Sequence, residues 1–244
     1  MEIRTPDSKE VLAFAEKYLP SLNISGIDGV LSFLKSRISD FQYLGCYEGE
    51  WKSIMIYEEE EVHIILLLSA ERNQGYGSSL LQAFIDRCEK KHLARISANA
   101  EASALEFYEK AGFEKAGEQQ EAAGLSFIPM EYLLGQRYLN QTVKVEVDHP
   151  HGSFHPHIPD LRYPLNKGYV YLDGEIIDAY VYGVNEPVDS FTGMVCAIIY
   201  RKDSQSMQLV VSRIGMVIRK EDVISAIGFE EQYYDTRIQW GNYA

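Results

Sequence analysis

Five apolar residues in a row, Ile64 to Leu68, run into the segment "SAERNQGYGSSLLQAF". A run without polar alternation fits a strand buried on both faces. Beyond it, Leu80, Leu81, Phe84, Ile85 and Cys88 share one face of a helix. This junction commits the chain to strand, short loop, helix, the unit of an α/β layer. Gly75 and Gly77 in the loop lack Cβ atoms, so a ligand can approach the backbone closely. The helix start offers unpaired N–H groups and a positive dipole end. With Arg72 at the mouth these are the ingredients of an anion site. The spacing alone also fits a plain turn.

The flanking sequence continues the alternation. "MEIRTPDSKEVLAFAEKYL" gives a short strand and a helix, with Asp7 and Glu10 in capping-box spacing. "GIDGVLSFLKSRI" is a second helix, and "FQYLGCYEGEWKSIMIYEEEEVHIILLLS" gives two strands around Glu48–Gly49–Glu50 and then the buried one. "ARISANA" is a strand, "SALEFYEKAGF" a helix stopped at Gly112, and "LSFIPMEYLL" a closing strand. From about Thr142 the strands are short and separated by turns such as Asp173–Gly174, with one helix, "KEDVISAIGFEEQYY", at the end. That spacing fits a small barrel or sandwich. The expected organisation is an α/β domain over residues 1–136 and a β domain over 141–244.

Bulk properties exclude several classes. A formal net charge of −13 and no basic run argue against unaided nucleic-acid binding. The longest apolar run is far too short to span a bilayer. Three widely spaced cysteines, Cys46, Cys88 and Cys196, fit small buried residues in a reducing compartment. With a polar "MEIRTPDSKE" start, the expectation is a cytoplasmic protein without a signal peptide.

Two motifs in order, "ERNQGYGSSLL" and "SALEFYEKAGF", resemble the GNAT superfamily of N-acetyltransferases over about residues 1–135. The family's R/Q-x-x-G-x-G/A loop is matched by Arg72, Gly75 and Gly77. Its A-x-x-F/L-Y-x-K-x-G-F helix is matched by Ala104, Phe107, Tyr108, Lys110, Gly112 and Phe113. The resemblance implies an acyl-CoA N-acyltransferase fold with a mixed central sheet, acetyl-CoA as cofactor, and a small-molecule or peptide amine as acceptor. It implies coenzyme A contacts from Leu67, Leu68 and Ser69 on the strand, from Arg72, Asn73, Gln74, Gly75, Tyr76, Gly77 and Ser78 in the loop, and from Glu101 and Tyr108. Glu101 departs from the family, where many relatives carry Asn; so does Ser69, where many carry Pro.

The family's general acid corresponds to Tyr108, placed to protonate the leaving thiolate. For the base, two residues before the loop are candidates. Glu61, expected on the buried strand, matches the spacing of a base glutamate in some relatives; His63 lies two residues on, along the same strand face. Glu61 also reads as the end of a solvated acidic run, and the family tolerates the absence of a dedicated base.

The second half resembles the soluble inorganic pyrophosphatases, metal-dependent OB-like barrels. Tyr163, Pro164, Asn166, Gly168 and Tyr169, then Asp173, Gly174, Glu175 and Asp178, approximate their pattern. Asp173 and Asp178 are the implied metal ligands. Lys167 replaces a phosphate-contacting tyrosine, a change that keeps anion binding open, and the expected later acidic cluster is reduced to Asp203. His149, His151, His155 and His157 pair by alternation, a spacing compatible with a metal or with a polar loop. The functional expectation is an acetyl-CoA-dependent N-acetyltransferase with an accessory β domain. A bifunctional protein whose second half is a metal-dependent pyrophosphatase and a non-catalytic acyl-CoA-binding module stay open, as does a homodimer.

Overall fold

The computed structural model describes residues 1–22, 26–122, 125–158, 160–202 and 204–242. Asp203, the remnant of the expected acidic cluster, lies outside them. The chain divides into two compact units, Met1–Lys91 with Arg95–Leu134, and Gly135–Ala244 with His92–Ala94.

The first unit runs β1 (Glu2–Arg4), α1 (Ser8–Tyr18), α2 (Ile27–Arg37), β2 (Gln42–Tyr47), β3 (Trp51–Glu58), β4 (His63–Ser69), α3 (Tyr76–Lys90), β5 (Arg95–Ala100), α4 (Leu105–Lys110), β6 (Glu114–Lys115), β7 (Gln120–Ala122) and β8 (Leu125–Leu133). The strands order as β1-β2-β3-β4-β5-β8-β6, with β7 also on β8. Among the described residues only the β4–β5 pair is parallel, so the sheet is mixed. Asp7 starts α1 with the complete capping box: its side chain accepts from the Lys9 and Glu10 N–H groups, and Glu10 accepts from the Asp7 N–H.

Two cores sandwich this sheet. Val11, Phe14, Leu19 and Leu34 from the first helices pack with Ile54, Ile56 and Leu68. On β3 the alternate residues Met55 and Tyr57 are also buried, and the Tyr57 ring lies 4.6 Å from Phe84 of α3. β3 is therefore the strand covered on both faces. β4, for which that burial was expected, keeps Ile65, Leu66 and Leu67 only partly covered. The reason is topological: its outer neighbour leaves it after two positions.

In the second unit, β9 (Thr142–His149), β10 (Asn166–Leu172), β11 (Glu175–Tyr182), β12 (Ser190–Arg201) and β13 (Met207–Ser212) close into a five-stranded barrel. The order β9-β10-β11-β13-β12 returns to β9, and β11–β13 is the one parallel pair. α5 (Lys220–Glu231) covers an outer face through Val223 and Ile227, against Tyr180, Ala197, Ile199 and Val210. The helix does not end the fold as expected: β14 (Thr236–Trp240) follows and pairs with β12. Its five residues "TRIQW" are all half-buried, so they lack the alternation that marks a strand in sequence.

Candidate active site

β4 and β5 share only the register pairs His63↔Ser97 and Ile64↔Ala98. Immediately after, the β3–β4 ladder shifts between Ile56 and Tyr57, leaving Ile65 as an extra residue. A bulge bends its strand and re-aims the residues beyond it. From Ile65 onward no strand pairs the outer edge of β4 among the described residues. The N–H of Ala70 donates to the Lys52 carbonyl at 2.8 Å. Antiparallel alternation then turns the backbone of Leu68 toward β3 and that of Leu67 and Ser69 toward the open edge. Leu68 is further tied to β3 by Ser53, whose hydroxyl donates to the Leu68 carbonyl at 3.0 Å. Of the three strand residues expected to meet a ligand through their backbone, Leu67 and Ser69 are presented and Leu68 is engaged in the sheet.

The open edge leads into the glycine loop. Asn73 and Gly75 both have left-handed backbone, with φ of 61° and 81°. Asn tolerates that region and glycine adopts it without strain. Gly75 caps α3 with no side-chain hydrogen bond, so the first N–H groups of the helix, Tyr76, Gly77 and Ser78, stand free of a cap. At Gly77 the constraint is space: an added Cβ would lie 3.1 Å from Ser69 Oγ and 3.3 Å from Leu67 Cδ2. Helix start and strand end are thus in contact. Arg72 is exposed, without an ion-pair partner among the described residues. Tyr76 is pinned outward by a 3.0 Å hydrogen bond from its hydroxyl to Glu48. The assembly is a bare backbone edge, a helix N-terminus and an uncommitted cation, which suits an anion with an extended tail.

His63 stands at the point where the strands part. Its Nδ1 lies 2.9 Å from Ser97 Oγ and its Nε2 3.5 Å from Asn99 Nδ2. Burial holds its pKa below the ordinary histidine value, more than Glu58 and Glu61 raise it, so the imidazole is neutral at neutral pH. Ser97 and Asn99 went unassigned in the sequence, although "ISANA" puts both on one face of β5 and the parallel pairing sets Ser97 opposite His63. Glu61 is not on the strand: it is exposed in the turn before β4. The acidic run 58–61 prefers solvent, and the strand begins only at His63.

Tyr108 lies on α4, packed between Phe107 and Phe113 at ring distances of 5.2 and 5.1 Å. Burial pushes its phenol well above the ordinary value, so it keeps its proton at all working pH. Glu101 is exposed after β5 and accepts a 2.9 Å hydrogen bond from the Ser103 hydroxyl.

In the barrel, two of the residues that carry the pyrophosphatase resemblance, Asp173 and Lys167, are engaged within the fold. Asp173 and Gly174, with φ of 53° and 92°, form the two-residue β10–β11 hairpin turn, and Asp173 pairs with Arg137 at 3.4 Å. Asp178 is on β11, opposite Tyr169. Lys167 is not free for an anion: it is buried and donates to both carboxylate oxygens of Glu230, at 2.7 and 2.8 Å. Among the described residues no three His, Cys, Asp or Glu side chains gather to hold a metal. Of the four histidines, His155 and His157 hold their rings 6.1 Å apart, and His149 and His155 both stack on Tyr163.

The acetyltransferase (GNAT) domain model matches residues 34–134. Similar solved structures include a GCN5-related N-acetyltransferase from Rhodopseudomonas palustris, 16% identical over 54% of this chain and 94% of that one, with a TM-score of 0.44. The ribosomal-protein-S18-alanine N-acetyltransferase of Escherichia coli is 16% identical over 55% and 93%, with a TM-score of 0.42. The PaiA N-acetyltransferase of Thermoplasma acidophilum, in complex with coenzyme A, is 15% identical over 55% and 99%, with a TM-score of 0.44. No curated protein matches the chain. No helix among the described residues is long and apolar enough to cross a membrane.

Proposed function

We propose that the first unit transfers an acetyl group from acetyl-CoA to the primary amine of a small molecule or a peptide. The observation that carries this reading is the parting of β4 from β5 after Ile64, next to a glycine-capped helix start. The residues fit the cofactor. Free N–H groups at Tyr76, Gly77 and Ser78, with Arg72, would hold a diphosphate. The backbone edge at Leu67 and Ser69 would hydrogen-bond an amide-bearing arm as an added strand would. When bound, acetyl-CoA supplies an activated acyl group as a thioester.

The chain's own residues then handle protons. The neutral His63, its Nδ1 steadied by Ser97, accepts the amine proton directly or through a water. Tyr108, in a pocket that keeps the phenol protonated, would supply the proton to the leaving thiolate. Glu61, solvated in its turn, is left a role in steering a cationic acceptor.

For the barrel, the strand order and the parallel β11–β13 closure support an OB-like reading. We assign it an accessory and not a hydrolytic role, because Lys167 is committed to Glu230 and Asp173 to a turn and Arg137.

The test is calorimetric titration of acetyl-CoA into the wild type, Arg72→Glu and Gly77→Asp, each checked for fold by circular dichroism. Affinity should fall at least about tenfold in Arg72→Glu, from a lost attraction and an added repulsion near the phosphates, and disappear in Gly77→Asp. Wild-type affinity in both folded variants would refute the assignment.

A further inference from the structure

The barrel unit has a cleft of about 630 Å³ between the segment 155–158, the strand ends at His149 and Lys167, and the end of α5. That volume is in the range of small-molecule sites. Six of its ten lining residues carry rings: His149, His155, His157, Tyr163, Tyr233 and Tyr234. The wall is held in place by its own stacking. Tyr163 is 2% exposed, with the His149 ring on it at 4.8 Å and 8° and the His155 ring at 5.2 Å and 26°. Tyr163 therefore stiffens the wall and is closed to a ligand ring. The open ring is Tyr233, 65% exposed, whose side chain has no ring or hydrogen-bond partner among the described residues. Next in the chain, Tyr234 keeps one face under the Arg201 guanidinium at 3.7 Å.

Two further observations narrow what the cleft takes. The first is a tautomer. His155 Nδ1 accepts the N–H groups of His157 and Ile158, both at 3.1 Å. A ring nitrogen that accepts bears no proton, so the neutral imidazole carries its hydrogen on Nε2. That N–H has no partner among the described residues, and its ring lines the cleft. The cleft thus offers an uncharged donor. The second is charge. Apart from the histidines, the charged lining residues are Lys167 and Glu230, and they close on each other. Lys167 Nζ donates to both carboxylate oxygens, at 2.7 and 2.8 Å. An anionic ligand would have to draw Lys167 off Glu230, and a cationic one the reverse. Either strands a buried charge, so the cleft favours a neutral ligand.

A flat ring gains most against Tyr233 by offset stacking, and a carbonyl on its edge satisfies the His155 donor. We propose that this cleft binds a neutral, planar aromatic molecule bearing a carbonyl, its ring against Tyr233 and its oxygen accepting from His155 Nε2. The inference concerns the barrel alone and stands whether or not the first unit transfers acetyl groups.

The test uses the full chain without acetyl-CoA at about pH 8, where a carboxylic acid and an alkylamine are both charged. The probe is benzamide, titrated by saturation-transfer NMR. Cyclohexanecarboxamide keeps the carbonyl and the size and removes the flat ring. Benzoate and benzylammonium keep the ring and carry either charge. Benzamide should bind, and each of the other three at least about threefold more weakly. Tyr233→Ala changes a mostly exposed side chain, and His155→Asn keeps an acceptor near the place of Nδ1, so both should fold, with circular dichroism as the check. Each should weaken benzamide by about 2–10-fold, the worth of one stacked ring or one hydrogen bond. No saturation transfer to benzamide in the wild type would overturn the proposal. So would unchanged affinity in either folded variant, equal binding of cyclohexanecarboxamide, or tighter binding of benzoate or of benzylammonium.

Discussion

Lys167→Met tests the reading that Lys167 is structural and not a phosphate ligand. Methionine keeps the unbranched stem and removes the charge. In the wild type the ammonium lies 2.7 and 2.8 Å from the two oxygens of Glu230, both side chains about nine-tenths buried. Without it Glu230 keeps Arg201 at 3.2 Å, which is shared with Glu231. Breaking a buried pair costs roughly 3–5 kcal/mol, chiefly the stranded charge. The remaining arginine puts the expectation at the low end, about 3 kcal/mol. The assay is urea unfolding followed by circular dichroism. Adding Glu230→Gln to the variant should recover at least half the loss, because no charge is then stranded. The pH dependence has a definite sign. Burial works to raise the Glu230 pKa, but Lys167 first and then Tyr180 and Arg201 hold it below 4.5. Its wild-type stabilisation is therefore full above the unfolded value and lost as pH falls through the folded one. In Lys167→Met burial prevails and the folded pKa rises. The penalty should be largest near pH 8 and shrink toward pH 5 as Glu230 takes up a proton. A loss below about 1 kcal/mol, or a double variant no more stable than the single one, would refute the reasoning.

Three other outcomes concern the first unit. Tyr108→Phe should lower kcat on an identified acceptor by about 10²–10⁴-fold with acetyl-CoA affinity held; unchanged turnover would leave Tyr108 as packing. His63→Gln should remove the acidic limb of the rate profile, which in the wild type should fall with decreasing pH through a value below the ordinary 6.5; a limb that persists in the variant assigns the base to another group. Asp7→Ala should cost about 1 kcal/mol in urea unfolding by loss of the capping box, and a change within error would show that the α1 start is held by packing alone.

The sequence makes the junction at Gly75 legible because its residue types are dictated locally: an apolar run, a left-handed loop and an amphipathic helix cannot be written many other ways. What opens the site is not local. The bulge at Ile65 and the loss of pairing beyond Ala98 depend on how two strands, separated in the chain by a loop and the whole of α3, diverge, and nothing in "HIILLLS" or "ARISANA" records it. The same holds for His63 and Ser97, joined only by strand register, and for Glu61, which a one-dimensional spacing put on a strand that starts only at His63. In the barrel, Lys167 reads as a substitution in a motif; its partner Glu230 is 63 residues away on α5, so its role was invisible until the fold closed.

The central claim, that the edge of β4 and the start of α3 form a coenzyme A site, is tested most directly by a crystal structure of the full chain grown with acetyl-CoA. The account predicts the diphosphate within hydrogen-bond reach of the N–H groups at Tyr76–Ser78 and of Arg72, with the pantetheine amides along Leu67 and Ser69 and the thioester near His63 and Tyr108. Acetyl-CoA held elsewhere, with β4 and β5 unchanged and their opening empty, would contradict it.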